Sequence, residues 1–431
     1  MPTSRGWFVA ATGLGLLVAG ELVAVRALSA LGLSLVALAV IAVAVVRFGR
    51  HELDATRSVA PQRVGAGHPV TVRIQLTNVG RATTPLLLLD DRIPSGLTGR
   101  ARFAFSGVEP EGVRSAAYEI RPPRRGRYKI GPLEIVCSDP FGLASVTLRP
   151  EDTTSILVYP RIETLALPRD RGERRSLSVS ALRQPTGMTG EDFYTLREYV
   201  EGDDLRKIHW PSTAKRGRYM IRQEETPWHT RATLLMDDDA SAHDSLAGSS
   251  SFERCAEATA SLVDLYHRAG YTFRLVCSHD PGVQASRGID HLNRCLDLLA
   301  MIQPLASRDT ERSLLTRLAE LEAQGSAEGT LVFVGGSIDP AVAMGLSRCR
   351  RRYKQVIAVL FPGHRFGPGS TKDRWAGEQQ LVETVRLLTQ AGIRAVVLSP
   401  GESVAGGWGG LTQIRARKGG GGEWDRKPEL V

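Results

Sequence analysis

Asp237-Asp238-Asp239, followed by Ala240 and Ser241, is the stretch of this chain whose residue types and spacing could do chemistry. Oxygen donors at alternate positions, Asp237, Asp239 and Ser241, suit a hard divalent cation such as Mg²⁺, which is held by carboxylate and hydroxyl oxygens. The same two aspartates could instead serve a phosphoryl reaction, the first attacking phosphorus and the second acting as acid and base. The alternative without chemistry is a polar turn whose carboxylates accept from nearby backbone amides and are otherwise solvated.

What must position these groups is an alternation of strands and helices. Ala232 to Met236 reads as a buried strand that delivers the acidic run. Helices are expected over Phe252 to Arg268, Ile289 to Met301, Glu311 to Glu322, Ala341 to Arg351 and Glu378 to Gln390. Strands are expected over Thr272 to Cys277, Thr330 to Val334, Gln355 to Phe361 and Arg394 to Leu398. Such alternation implies a mostly parallel sheet covered by helices on both faces. In open sheets of this kind ligands bind outside the carboxyl ends of the strands, where Asp237 stands.

A second dense segment spans residues 190 to 226. It interleaves Arg197, Arg206, Lys207, Lys215, Arg216, Arg218 and Arg222 with Glu198, Asp203, Asp204 and five aromatic rings. Rings drive burial, so a folded, salt-bridged platform is expected rather than a solvated loop. Asp203 or Asp204 would cap a short helix from Leu205 to Trp210, Pro211 would bend or restart it, and Tyr219 to Gln223 reads as a strand. The arginines could grip carboxylates of a partner or pair with Glu198, Asp203 and Asp204 inside the domain. His209 as a general base competes with His209 as a packed surface residue.

The run Phe193, Leu196-Arg197-Glu198-Tyr199, Gly202-Asp203-Asp204, Arg206, Ile208, Trp210, Ala214-Lys215-Arg216-Gly217 resembles the signature of the domain of unknown function 58 family. Arg125-Gly126-Arg127-Tyr128, Gly131-Pro132, Asp139-Pro140-Phe141-Gly142-Leu143 and Val158-Tyr159-Pro160 extend the likeness upstream. This chain departs from it at His209, where members usually carry Asp. The resemblance implies a bacterial, membrane-anchored protein with a domain similar to the von Willebrand factor A fold. It also implies a MoxR-type AAA+ ATPase as partner, in some cases with a transglutaminase-like membrane protein, and a role as adaptor in maturation or assembly. The platform residues Arg197, Glu198, Tyr199, Gly202, Asp203, Arg206, His209, Trp210 and Arg216 are then the expected partner-binding set.

Von Willebrand A domains carry a metal-ion-dependent adhesion site of pattern Asp-x-Ser-x-Ser at the end of the first strand. This chain keeps Asp237 and Ser241 but has Asp239 between them. Ser337 and Asp339, in the loop after a later strand, would complete the shell for Mg²⁺, and Thr310 is a candidate for the remaining ligand. The Asp-x-Asp pair also resembles the opening of the haloacid-dehalogenase phosphatase pattern, which makes a Mg-dependent phosphohydrolase using Asp237 and Asp239 the alternative function. That enzyme needs a second acidic pair, and only Asp339 follows Val334 closely. The glycines from Gly363 to Gly369 lack the GK[ST] ending of a phosphate loop.

The chain has 431 residues, which suggests several domains. Between Gly6 and Val46 only Glu21 and Arg26 are charged, a length sufficient for two spans. Arg5 before the first, and Arg47 and Arg50 after the second, place both ends and the soluble domains in the cytoplasm of a multi-pass cell-membrane protein. Alternation in Val70 to Thr77, with strand-like runs at Pro85 to Leu89, Ala101 to Phe105, Val113 to Ile120, Tyr128 to Val136 and Leu143 to Leu148, suggests an immunoglobulin-like β-sandwich. The expected division is a transmembrane helical hairpin over 1–50, a β-sandwich over 51–160, linker and signature segment over 161–230, an α/β von Willebrand factor A-like domain over 231–402, and a flexible Gly-rich tail over 403–431. The net charge of +9 suits an anionic membrane surface or simply the solubility of a basic protein. It is spread along the chain with no nucleic-acid-binding motif, so membrane lipid and no nucleic acid is the expectation. Five widely separated cysteines form no CxxC pair and read as free buried thiols of a reducing compartment.

Overall fold

A computed structural model describes residues 1–48, 52–97, 99, 101–150, 153–168, 194–199, 208–224, 231–246, 249–305, 314–324, 329–367 and 370–413. The chain forms two compact units, Met1–Ile162 with Leu296–Ile302, and Glu163–Cys295 with Gln303–Val431.

The first unit opens with two helices, α1 (Ser4–Leu22) and α2 (Arg26–Phe48), packed along each other. Thr3 caps α1 by accepting from the Gly6 amide. Gly6, Gly13 and Gly20 recur at a seven-residue interval, a near-integral number of helical turns, and all three are buried. A methyl at Gly13 would stand 2.9 Å from the Gly32 carbonyl oxygen, and one at Gly20 would stand 2.5 Å from the Ser29 amide nitrogen. The backbones therefore touch, and only glycine allows it. Among the described residues one helix, over Arg26–Arg47, is long and apolar enough to cross a membrane by length and composition. Helix α1, the other half of the expected hairpin, carries Arg5 and Glu21 within its 19 residues.

Ten strands follow: β1 (Leu53–Ala60), β2 (Arg63–Gly65), β3 (Val70–Asn78), β4 (Leu86–Asp91), β5 (Arg102–Phe105), β6 (Val113–Ile120), β7 (Gly126–Ile130), β8 (Leu133–Ser138), β9 (Ser145–Leu148) and β10 (Thr154–Tyr159). They form sheets of order β1-β3-β6, β2-β10-β7 and β5-β4-β8-β9. Strand β3 shows the expected period of two, with Val70, Val72, Ile74 and Leu76 buried and Thr71, Arg73 and Gln75 exposed. Those side chains share one core with Leu87, Leu89, Ile120, Ile130, Ile135, Ile156 and Val158 from all three sheets. The single strand expected over Tyr128 to Val136 is instead two, β7 and β8, in different sheets. Gly131 sits at φ +102° and Pro132 has no N–H to give a ladder, so the chain leaves one sheet there and joins another. Inside this unit Asp91 is held by Arg57, with Nη2 to Oδ1 at 2.6 Å and Nε to Oδ2 at 3.1 Å, while the Tyr118 hydroxyl donates to Oδ2 at 2.7 Å.

In the second unit β11 (Tyr194–Glu198) pairs antiparallel with β12 (Met220–Glu224), and α3 (Trp210–Arg216) lies between them in sequence. The main sheet contains β13 (Arg231–Met236), β16 (Thr272–Cys277), β17 (Val283–Ser286), β18 (Thr330–Gly335), β19 (Gln355–Leu360) and β20 (Arg394–Val397) in the order β17-β16-β13-β18-β19-β20. The two-residue strands β14 (Ser245–Leu246) and β15 (Ser249–Ser250) pair separately. The main sheet is mixed, with β17 antiparallel and the other neighbours parallel. Runs such as Ala-Thr-Leu-Leu-Met in β13 are buried throughout, as a strand covered on both faces requires. Helices α4 (Ser251–Arg268), α5 (Ile289–Met301), α6 (Leu314–Gln324), α7 (Pro340–Cys349), α8 (Gly363–Phe366), α9 (Thr371–Gln390) and α10 (Val404–Gln413) complete the chain.

Helix α9 begins well before the expected Glu378, because Ser370 and Asp373 form a capping box. Helix α10 corrects the expectation of a flexible segment directly after Ser403. Val404, Trp408 and Leu411 fall on one helical face and are buried, and the Trp408 indole donates to the Ala166 carbonyl at 2.7 Å. A methyl at Gly407 would stand 2.4 Å from Leu398 Cδ2, so the glycines there permit close packing on β20 rather than mobility. The remaining tail, 414–431, lies outside the described residues. All five cysteines are free and buried.

Candidate functional site

Four strand ends meet around the acidic run. Asp237 extends β13 with its amide donating to the Val334 carbonyl at 2.8 Å, and its carboxylate is buried. Asp237 Oδ1 accepts from the Asp239 amide at 3.1 Å and from the Ser278 hydroxyl at 2.9 Å. Burial pushes the Asp237 carboxyl up to about 7, against the pull of those two hydrogen bonds. Asp238 is fully buried; its Oδ1 accepts from the His279 amide at 2.9 Å, while among the described residues no hydrogen-bond partner reaches Oδ2. Burial raises the Asp238 carboxyl as well. The His279 ring lies 3.4 Å from Asp238 Oδ1 and 3.9 Å from Asp239 Oδ2, yet among the described residues neither ring nitrogen has a hydrogen-bond partner.

The loops around this cluster are fixed by backbone. His243 Nε2 lies 2.9 Å from the Asp237 carbonyl and Nδ1 lies 3.2 Å from Ser251 Oγ, and burial lowers the imidazole's affinity for a proton. A methyl at Gly336 would stand 1.9 Å from the Ala242 carbonyl oxygen, and one at Gly363 would stand 2.8 Å from Asp244 Oδ2. These glycines let the ends of β18 and β19 close on the loop after β13. They cradle protein, not phosphate. The basic residues of the second glycine loop are also engaged: Glu378 binds His364 at 3.0 Å and is paired with Arg365, which holds its carboxyl below the usual range.

The five residues expected around Mg²⁺ each have hydrogen-bond partners of their own. Asp239 Oδ1 accepts from both the amide and the hydroxyl of Ser241, at 2.9 and 2.7 Å, the geometry of a capped turn. Ser337 Oγ accepts from the Gly363 amide at 3.0 Å. Asp339 Oδ1 accepts from Gln380 Nε2 at 3.3 Å, at the surface. Among the described residues no group of three or more His, Cys, Asp or Glu side chains could hold a metal. Thr310 lies outside the described residues.

The platform is a different surface. The expected helix over Leu205 to Trp210 lies partly outside the described residues, and the observed helix α3 starts where that one was to end. Pro211 occupies its first turn, where a missing N–H costs nothing, and His209 caps it by accepting from the Ser212 amide at 3.3 Å. His209 is thus a capping residue, with Nδ1 also 2.9 Å from Ser212 Oγ. Helix α3 buries no residue. Trp210 is 64 % exposed and Tyr219 57 % exposed, packed edge to face at 6.5 Å between ring centroids, with Tyr199 against Tyr219 at 6.3 Å. Lys215, Arg216 and Arg218 are exposed beside them, and Arg218 pairs with Glu198 at 2.9 Å. Arg197 is placed on β11 opposite Ile221. Gly202, Asp203 and Arg206 lie outside the described residues.

Sequence reading missed Ser278, His279 and His243. Ser278 and His279 directly follow β16, so the rule that singled out Asp237, chemistry at a strand's carboxyl end, would have found them one strand over.

No curated protein matches this chain. Several solved structures are similar to parts of it. The CARDB domain of the PF1109 protein in complex with di-metal ions from Pyrococcus furiosus is 16% identical with a TM-score of 0.19, covering 25% of this chain and 94% of its own. A FixG-related protein from Vibrio parahaemolyticus is 8% identical with a TM-score of 0.17, covering 25% and 95%. The Pseudomonas fluorescens alkylpurine DNA glycosylase AlkC is 12% identical with a TM-score of 0.17, covering 31% and 39%. Such low TM-scores carry no argument. The family model described as "Protein of unknown function DUF58" matches residues 195–365, a stretch that holds both the platform and the acidic cluster, and this match supports the DUF58 family.

Proposed function

We propose that the protein is a membrane-anchored cytoplasmic interaction adaptor that works beside a MoxR-type AAA+ ATPase in protein maturation or complex assembly. The observation that carries this reading is the platform: a helix with no buried residue and the turn after it, presenting Trp210, Lys215, Arg216, Arg218 and Tyr219 to solvent. Exposed Trp, Tyr and Arg side by side are the residue types that dominate protein–protein binding energy. Helices α1 and α2 form the anchor as a hairpin crossing the membrane twice, with Arg5 and Arg47 on the cytoplasmic side. The strands of the first unit are an immunoglobulin-like sandwich acting as spacer, and the second unit is a von Willebrand factor A-like domain that presents the platform. A transglutaminase-like membrane protein is a further expected member of the assembly. The adaptor reading stands without a cation, since the expected ligands bond to one another or to other groups.

The phosphohydrolase alternative has less support. Asp237 and Asp239 accept hydrogen bonds from neighbouring groups, and Asp339, the acidic residue after β18, accepts from Gln380. Affinity capture of the full-length protein from native membranes, with and without Trp210→Ala/Tyr219→Ala, tests the proposal. Capture of an AAA+ ATPase by the wild type and its loss from the variant supports it. An ATPase retained by the variant removes the platform from the interface, and its absence from both samples overturns the adaptor reading.

A further inference from the structure

The Asp139-Pro140-Phe141-Gly142-Leu143 turn has no part in the adaptor surface, yet it is rigidly built. Asp139 is buried, its Oδ1 accepting from the Ala144 amide at 2.6 Å and its Oδ2 from the Phe141 amide at 2.9 Å. The Gly142 amide closes the turn on the Asp139 carbonyl at 3.0 Å, with Gly142 at φ +67°. A turn fixed this firmly leaves Phe141 63 % exposed at its tip.

The turn is joined to the ends of both helices. The Thr3 hydroxyl donates to the Gly142 carbonyl at 2.7 Å, and the Thr3 amide donates to the Leu143 carbonyl at 2.8 Å. A methyl at Gly6 would stand 2.1 Å from that same Leu143 oxygen. Leu143 and Ala144 also pack in one apolar cluster with Ala42 and Val46 near the end of α2. Phe141 therefore stands at the level where α1 begins and α2 ends. At this level Trp7 and Phe8 are exposed on α1, and Arg5 and Arg47 are exposed at the helix ends. An open apolar groove lined by Trp7, Ala10, Val36, Val40, Val43 and Leu143 runs on from the turn between the helices.

We propose that the Asp139–Leu143 turn is an interfacial membrane anchor, with Phe141 entering the headgroup layer of the leaflet that contains Arg5 and Arg47. Aromatic rings concentrate at this depth, and flanking basic residues favour anionic headgroups. The proposal rests on the reading of α2 as membrane-crossing. Its effect is to hold the first unit at a set angle on the bilayer, since the turn, α1 and α2 then touch the lipid together.

Because all five native cysteines are buried, a single introduced thiol can be labelled in the folded full-length protein. An environment-sensitive fluorophore is placed at Phe141→Cys, at Leu33→Cys on the exposed face of α2, or at Thr71→Cys. Thr71 is exposed and pairs with Ala60, the end of β1 remote from α2. In phosphatidylcholine/phosphatidylglycerol vesicles the Phe141→Cys label shows blue-shifted emission and quenching by lipids with a shallow nitroxide. The Leu33→Cys label is quenched by lipids with a deep nitroxide, and the Thr71→Cys label by neither. A label on exposed Pro140→Cys, with Phe141 kept, is quenched like that at Phe141→Cys, and adding Phe141→Ser abolishes the quenching. If Leu33→Cys is quenched while Phe141→Cys behaves like Thr71→Cys, the anchor is wrong and the span stands. The anchor is equally overturned if Phe141→Ser leaves the Pro140→Cys quenching intact. No quenching at Leu33→Cys overturns the span, and the anchor with it.

Discussion

Each unit buries a cluster of charged and polar side chains, and the two clusters are finished to different degrees. In the first unit both oxygens of Asp91 are taken by Arg57, and Tyr118 adds a third bond. In the second, Asp237, Asp238 and His279 are enclosed among the strand ends, yet Asp238 Oδ2 and both ring nitrogens of His279 lack hydrogen-bond partners among the described residues. A satisfied network offsets its desolvation and ties the fold together, whereas a half-satisfied one raises the energy of the folded state. The first cluster therefore serves stability. The second tolerates a cost, and it does so at the carboxyl ends of the strands, where α/β domains put their ligands.

The largest expected effect comes from breaking the finished cluster. Asp91→Ala strands the Arg57 guanidinium, whose side chain is 2 % exposed, without a counter-charge. A loss of about 3–5 kcal/mol from the first unit is expected, read as a lower urea midpoint for the detergent-solubilised full chain. A result near zero would mean that water reaches Arg57.

The unfinished cluster responds with the opposite sign. Asp237 has its proton affinity raised from an ordinary 3.8 to about 7 in the folded chain, so the folded state binds more protons than the unfolded one across that window. Stability from this group is thus present below about pH 4 and is lost as pH rises to about 7. Asp237→Asn keeps an acceptor for Ser278 and removes the charge. It should stabilise the second unit by on the order of 2 kcal/mol at pH 8, with the gain vanishing at pH 4. A variant equal to wild type in thermal unfolding at both pH values would show that Asp237 ionises without penalty.

The smallest effects sharpen the contrast. Tyr118→Phe deletes one hydrogen bond to a charged acceptor and should cost about 1.5 kcal/mol. His279→Phe keeps a ring of similar size and removes two nitrogens that make no hydrogen bond, so a change below about 0.5 kcal/mol is expected. Chemical denaturation of the two variants side by side decides it. A larger loss for His279→Phe would establish that its ring holds the carboxylates in place.

Much of the main sheet was legible because buried parallel strands read as short apolar runs, and β13, β16, β18 and β19 stand close to where periodicity puts them. Short-range polarity was a poorer guide. The glycines of α10 suggested mobility, but Val404, Trp408 and Leu411 share a spacing that outweighs them once β20 is there to receive the face. The run Tyr128 to Val136 read as one strand, and Gly131-Pro132 within it is where the chain changes sheet. At the acidic run, Asp237 and Asp239 were found by type and position, but their bonding depends on Ser278 and Ser241, and that choice is made only when neighbouring strand ends are in place. Asp339 shows the limit most plainly: its loop is close to the cluster in the expected order, yet its carboxylate is drawn to Gln380 on α9.

The seven-residue glycine rhythm of α1 has a consequence for how this chain can vary. Adding or deleting one residue between Gly6 and Gly20 turns everything beyond it by about 100° and swings the later glycines off the contact with Gly32 and Ser29. Residues on the outer face, such as Leu14 and Val18, are exposed and can be exchanged for other apolar types. Natural variants of the hairpin should then keep its length and its contact glycines while differing on the outer face, because the spacing of the glycines keeps the two backbones together.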